Sequence, residues 1–268
     1  MSEMTCYLNG VGLLAPGVED WPLFTRIVAG EESHNAAEPA RYTPKSLPAN
    51  ERRRASQLVR LAFNSIEQLL ELLPTEGYAT VFSSSGGDYD IFHKICSALA
   101  LPEKIVSPTQ FHNSVHNAPA GYWSIATGNT HPSTTISAHD YSFVMGLVDA
   151  VAQLQGEAEN VLLACYDMVP PSPINEVRNV AGPFSTSLLL SARANEHTLC
   201  AMDVSVAPRA AQVPSLAIAD LETLRLGNAS ARSLSLLTAI ARAEGETELA
   251  LSNGESLCIG LRYSGFGD

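Results

Sequence analysis

The sequence predicts one layered α/β fold. Short apolar stretches that end in small-residue or Pro-Gly turns alternate with longer stretches of helical periodicity. Those short stretches are apolar without a break, as in a sheet covered by helices on both faces. Hydrophobic residues make up 46% of the 268 residues and charged ones 16%, below the usual ~25%. Such a chain can close a core and lacks the composition of disorder.

Taken in order, residues 5–14 (TCYLNGVGLL) read as a buried first strand stopped by Ala15-Pro16-Gly17. Residues 55–73 carry Leu58, Leu61, Ala62, Ile66, Leu69, Leu70 and Leu73 at near-helical spacing. The run Arg52-Arg53-Arg54 reads as the solvated start of that helix. Residues 78–83 form a short strand ending in Ser84-Ser85-Gly86-Gly87, and 90–100 the next helix. Asn117 is placed to cap a helix with Pro119 in its first turn and Gly128 at its end. Residues 134–138 are β-branched and strand-like. Residues 140–154 are apolar on nearly every face, the pattern of a buried helix that Asp140 would cap. Residues 160–165 and 187–191 are further buried strands. Beyond residue 195 the pattern predicts a strand over 198–206, a helix over 229–243 and a last strand over 256–262. Pro208, Pro214 and Asp220-Leu221-Glu222 fall in connections, and no linker separates two domains.

The formal net charge is −12, from 28 acidic and 16 basic residues. That balance opposes phosphate backbones and anionic lipid surfaces, so no nucleic-acid partner is expected. No stretch approaches the ~18 consecutive apolar residues of a membrane span. The N-terminus lacks a basic start before its apolar run, which predicts no secretory leader. The five cysteines are scattered without a CxxC, so neither a zinc ribbon nor a disulfide framework is indicated and a cytoplasmic setting is expected.

Three constellations could carry chemistry. The junction of strand 134–138 with helix 140–154 is a place where enzymes hold a nucleophile, because helix N–H groups and the dipole stabilise an anion there. His139 and Asp140 occupy it. His112 and His116 share a face if their segment is helical, but no third ligand accompanies them and no metal is expected. The serine- and glycine-rich turn at 83–87 lacks the Lys-Ser/Thr of a phosphate loop.

In their order and spacing these segments resemble the β-ketoacyl synthase branch of the thiolase-like superfamily. The landmarks are LNGVGLLAPG, VFSSSGGDYD, and the ungapped stretch from Ser107-Pro108 through Asn117, Gly121, Pro132 and Ile136-Ser137-Ala138 to Asp140, followed by NVLLACYD and GPFSTSLLLS. The segment FHNSVHNAPAGYWSIATG resembles a small ketosynthase-like subfamily found with aryl polyene pathways. The resemblance is good to about Ser191. It implies a thiolase-like layered fold with an intact first half, residues 1–195, and an abbreviated second half, 196–268, packed in the same globule.

The departures bear on function. The nucleophilic Cys of the resembled family falls on Asp140, and no Cys lies between Cys96 and Cys165. Asn228 stands where one of the two histidines would be, and the other has no counterpart. An Asp carboxylate cannot replace a thiolate in acyl transfer. The resemblance therefore implies a non-catalytic partner, like a chain-length factor, in a heterodimer with an active ketosynthase of polyene, polyketide or fatty-acid type. That partner would supply the catalytic residues and meet the acyl carrier protein, and no cofactor is implied. Tyr89, Ile91, Phe92, Gln110 and Phe111 are the implied tunnel residues. Thr134, Thr135 and Ile136 are the implied interface strand. Two alternatives remain: a hydrolase using Asp140 with His112, His116 or His139, and an acyl- or carrier-binding module without a synthase partner.

Overall fold

The computed structural model describes residues 4–264. Strand β1 (Met4–Leu14) is followed by helices α1 (Trp21–Ala29), α2 (Ala49–Arg54) and α3 (Gln57–Glu67). Strand β2 (Ala79–Ser83) leads into α4 (Tyr89–Ala100), α5 (Pro108–Asn113) and α6 (Ala118–Thr127). Then come β3 (Ser133–Ile136), α7 (Ser142–Leu154), β4 (Asn160–Asp167), α8 (Ile174–Val177) and β5 (Phe184–Ser191). The remainder supplies β6 (Cys200–Ala207), α9 (Ala219–Gly227), α10 (Leu234–Ala241), β7 (Glu246–Ala250) and β8 (Ser256–Arg262).

The eight strands of the described residues form one mixed sheet in the order β3-β2-β4-β5-β1-β6-β8-β7. β2 pairs parallel with β3 and β4, and every other pairing is antiparallel. The long run of β1 explains the join: its later residues pair with β5 and its earlier ones with β6. A central strand whose two faces are both covered by helices must be apolar on both. β4 meets that need by alternation. Val161, Leu163 and Cys165 enter the core under α1, α7 and α10, while Leu162, Ala164 and Tyr166 enter the core under α3 and α6.

Caps and close approaches set the helices. Asp20 accepts from Leu23 N at 2.8 Å to start α1, and Gly30 ends it at φ 77°. Ser56 Oγ accepts from Val59 N to start α3. A Cβ on Gly12 would lie 1.8 Å from Ser65 O, so α3 meets β1 backbone to backbone only because residue 12 is Gly. Ser65 Oγ then bonds the hydroxyls of Ser185 and Ser187 at 2.5 and 2.8 Å, which satisfies three buried polar groups together.

Several expectations are corrected. The helix expected over 55–73 stops at Glu67, and a 3-10 turn follows at Leu70–Leu72. The Gln68 amide bonds both the N–H and the carbonyl of Leu13, turning the chain toward β1. Arg52-Arg53-Arg54 is the last turn of the separate helix α2, the end that favours cations. Asn117 holds the N-cap position of α6 without a side-chain cap bond. Asp220-Leu221-Glu222 lies in α9, where Leu221 and Leu224 are buried and Glu222 pairs with Arg225. The helix expected over 229–243 is a 3-10 turn, Ser230–Ser233, running into α10. Helix α7 buries Phe143, Val144, Leu147, Ala150, Val151 and Leu154, but Met145 and Val148 remain half-buried and Ala152 is exposed.

Candidate functional site

The site lies where β2, β3 and β4 end beside the turn that enters α7. The Ser84-Ser85 turn is held from three sides. Ser84 N donates to Ile136 O at 3.2 Å, Ser137 Oγ donates to Ser85 O at 3.0 Å, and His116 Nε2 donates to Ser84 O at 3.1 Å. The fourth tie is Asp167, which is buried at the end of β4. Its Oδ1 accepts from Ser85 N at 2.8 Å, Ser85 Oγ at 2.7 Å and Ser84 Oγ at 3.1 Å. Its Oδ2 accepts from Ser230 N at 3.1 Å and Ser230 Oγ at 2.6 Å. One carboxylate thus joins the β2 turn to the segment that precedes α10. Asp167 is not among the residues that motif or resemblance singles out. The available signal was a lone acid closing an apolar strand, a residue that is seldom buried unless paired.

Asp140 does not cap α7. It sits in a 3-10 turn, His139–Tyr141, and α7 begins after Tyr141 with no side-chain cap. Ser142 Oγ instead accepts from Ala138 N at 3.0 Å and donates to His139 O at 2.7 Å. His139 carries φ 52°, a conformation that side-chain-bearing residues rarely adopt. This turn rotates Asp140 away from the helix N–H groups and toward two arginines. Arg178 Nη1 donates to Asp140 Oδ1 at 2.6 Å, and Arg232 Nη2 lies 3.5 Å from Oδ2. His139 Nδ1 is 3.3 Å from Oδ1, and the Arg232 guanidinium lies 5.5 Å from the Tyr141 ring centroid. Arg178, which follows α8, also engages Tyr89. A Cβ on Gly86 would meet the Tyr89 hydroxyl at 1.9 Å, so residue 86 must be Gly for that ring to lie there.

Burial alone would raise the Asp140 carboxyl; the Arg178 hydrogen bond and charge, with His139 and Arg232, outweigh it and hold the group below the usual carboxylate value. A depressed folded-state value means that the ionised form adds stability above the ordinary carboxylate range and loses it as pH falls through the lower value. Asp140→Ala is expected to cost about 1–2 kcal/mol near neutral pH, between an exposed and a buried pair. The cost should shrink on acidification as the wild-type carboxylate is protonated. Urea melts at pH 7 and pH 3 measure it, and an equal loss at both would contradict the assignment.

Asn228 is buried and bonded at both amide atoms: Nδ2 donates to Gly182 O at 2.8 Å, and Oδ1 accepts from Ala231 N at 3.1 Å. It braces the turn that carries Arg232. His112 and His116 do not share a helix, because α5 stops at Asn113. Among the described residues no three His, Cys, Asp or Glu side chains gather into a metal-binding group. Ile91 is buried, and Tyr89 and Gln110 are half-buried. Phe92 is 58% exposed and Phe111 69%. These two rings therefore do not fill this chain's own core. With Leu99, Leu101, Ile105 and Val115 they leave an apolar surface over α4, α5 and the adjoining turns. Asn113 anchors this region: Nδ2 donates to Arg54 O at 2.8 Å and Oδ1 accepts from Tyr122 Oη at 3.0 Å. Thr134, Thr135 and Ile136 pair with β2 on one side, and β3 ends the sheet on the other.

A sheet of this order with helices on both faces, and a constrained turn between a parallel edge strand and a buried helix, defines a ketosynthase-like member of the thiolase-like class. The chain belongs to the family described as β-ketoacyl synthase, N-terminal domain, whose profile matches residues 28–253. No curated protein matches the sequence significantly. Among solved structures, a chain of the complex of ketosynthase ApeO with its chain length factor ApeC from Xenorhabdus doucetiae is similar at TM-score 0.74 and 21% identity, over 96% of this chain and 99% of that one. A chain of the ishigamide ketosynthase/chain length factor is similar at TM-score 0.73 and 16% identity, over 97% and 100%. A chain of AntDE:AntF, a type II polyketide synthase acyl-carrier protein in complex with its ketosynthase, is similar at TM-score 0.71 and 14% identity, over 98% and 100%. No described helix is long and apolar enough to cross a membrane.

Proposed function

We propose that this chain is the non-catalytic member of a ketosynthase heterodimer, shaping the acyl tunnel of an active β-ketoacyl synthase in polyene- or polyketide-type assembly. One observation carries the reading. The residue that the resemblance aligns with the nucleophilic Cys is a carboxylate clasped by Arg178 and Arg232. Such a carboxylate is neither a thioester-forming nucleophile nor, with its basicity lowered, a strong general base. That lowering also argues against a hydrolase built on Asp140 and His139. Three further features fit a partner of ketosynthase type: the edge of β3, unpaired among the described residues, the apolar α4–α5 surface, and half-buried Met145 and Val148 on α7. An unpaired β-branched edge invites pairing, and the resembled family pairs this strand with the partner's equivalent. The division into residues 1–195 and 196–268 belongs to the same reading.

The deciding experiment is co-expression with candidate ketosynthases and purification by a tag on this chain. An intact ketosynthase at equal stoichiometry is expected. A soluble, stable monomer at high concentration, indifferent to every ketosynthase, would overturn the reading.

The exposure of Phe92 and Phe111 supports tunnel roles for them. In the reconstituted pair, Phe92→Ala and Phe111→Ala are expected to lengthen the products, because a packed ring excludes further methylenes that each favour burial by ~0.8 kcal/mol. Neither change should lower the stability of the free chain by more than about 0.5 kcal/mol, as befits exposed sites. Tyr89→Ala should act on both, since Tyr89 also engages Arg178. Mass profiles of the products and thermal melts of the free chain are the measurements. Unchanged product lengths in all three variants would end the gating idea.

A further inference from the structure

Between α7 and the turn that joins β7 to β8 lies a pocket of about 580 Å³. Its apolar wall is Met145 and Val148 from α7, Val206 and Pro208 at and just after the end of β6, and Leu251 after β7. Met145, Val148, Val206 and Leu251 all pack against the main core while staying half-buried, so the floor of the pocket is core surface left partly open. Its rim is Ser252, Asn253 and Glu255 in the turn. That turn is fixed by its own bonds. Leu251 N donates to Glu255 O at 3.0 Å, Glu255 N donates to Asn253 Oδ1 at 3.1 Å, and Gly254 takes φ 82°, a conformation that favours glycine. The two oxygens of Glu255 are unlike. Oε2 accepts from Asn253 Nδ2 at 2.7 Å, which holds the carboxylate in place. Oε1 has no hydrogen-bond partner among the described residues, and it is open to solvent rather than enclosed. An apolar cavity of about 150 Å³ holds a benzene ring, so this pocket takes a fused ring with a short chain. Among the described residues no Lys or Arg lines it, and Glu255 is its one charged side chain. An apolar wall with a single open carboxylate oxygen at its rim is complementary to an apolar body tipped by an ammonium group, and it opposes a carboxylate. Met145 lets the wall adapt, because its side chain is unbranched and flexible.

We propose that this pocket binds small amphipathic amines, with the five apolar side chains covering the ring system and Glu255 Oε1 accepting the ammonium N–H. None of the implied tunnel or edge-strand residues lines it. It shares Met145 and Val148 with the surface that fits a partner, so the test is made on this chain alone, and a failure there leaves the heterodimer reading standing.

Three probes of nearly equal shape differ only at the tip: tryptamine is a cation, 3-propylindole is neutral and indole-3-propionate is an anion. Calorimetry gives the affinities, and NMR follows the Met145 methyl group. Tryptamine is expected to bind roughly tenfold more tightly than 3-propylindole, the worth of a hydrogen bond to a charged acceptor. Indole-3-propionate should bind more weakly than either, and the Met145 signal should shift with tryptamine. Glu255→Gln keeps an oxygen for Asn253 and removes the charge. It should bring tryptamine down to the affinity of the neutral probe and leave 3-propylindole unchanged, while the melting temperature holds. Equal affinity for tryptamine and 3-propylindole, no tryptamine binding at millimolar concentration, a shift that spares Met145, or an unchanged tryptamine affinity in Glu255→Gln would each overturn the proposal.

Discussion

Asp167→Ala is expected to lose about 3–5 kcal/mol of stability, the largest effect of any single truncation near the site. The wild-type carboxylate accepts two backbone N–H groups, from Ser85 and Ser230, and three serine hydroxyls. The hydroxyls can turn to other acceptors, but each orphaned backbone donor costs about 1–3 kcal/mol and the lost side chain leaves a cavity. Asp167→Asn should cost less, about 1–3 kcal/mol, because one oxygen still accepts while the amide faces the Ser230 donors. Denaturant melts of both variants beside Asp90→Ala, an exposed control expected within about 0.5 kcal/mol, make the comparison. A loss below about 1 kcal/mol for Asp167→Ala would show that the carboxylate does not hold the turn together.

Asp140→Cys is expected to create a reactive thiol and no synthase. Arg178 and Arg232 would stabilise its thiolate, so alkylation should be fast and should slow markedly in the double variant with Arg178→Gln. Condensation should stay at background, because the proton-handling groups usually contribute about 10²–10⁴-fold and Asn228 cannot supply one of them. Its amide is committed to Gly182 and Ala231. Rates of iodoacetamide labelling and of product formation on the same protein separate the two statements. Measurable condensation by the isolated single variant would refute the non-catalytic reading.

Much of the fold was legible because its signals are local. The apolar alternation of β4 and the Pro-Gly stop after β1 need only a few neighbours to be read. The resemblance likewise rested on the order of such segments. Element ends were less legible. The helix expected over 55–73 ends early because the Gln68 side chain finds Leu13, 55 positions away in sequence. The acidic stretch at 220–222 has the pattern of a connection because its charges mask Leu221 and Leu224, the buried side of α9.

The candidate site divides the same way. That residue 140 is not a thiol, and that residue 228 is not a histidine, are facts of the sequence alone, and the proposed non-catalytic role starts from them. What Asp140 does instead was decided by tertiary structure. Local preference points an Asp at a helix start toward the helix N–H groups. The positive-φ turn at His139, with Arg178 and Arg232 arriving from segments 38 and 92 residues further on, redirects it into an ion-paired cluster. The partners of Asp167 were equally invisible in advance. A hydrogen-bond partner distant in sequence exists only once the chain has closed its loops and taken the group out of water.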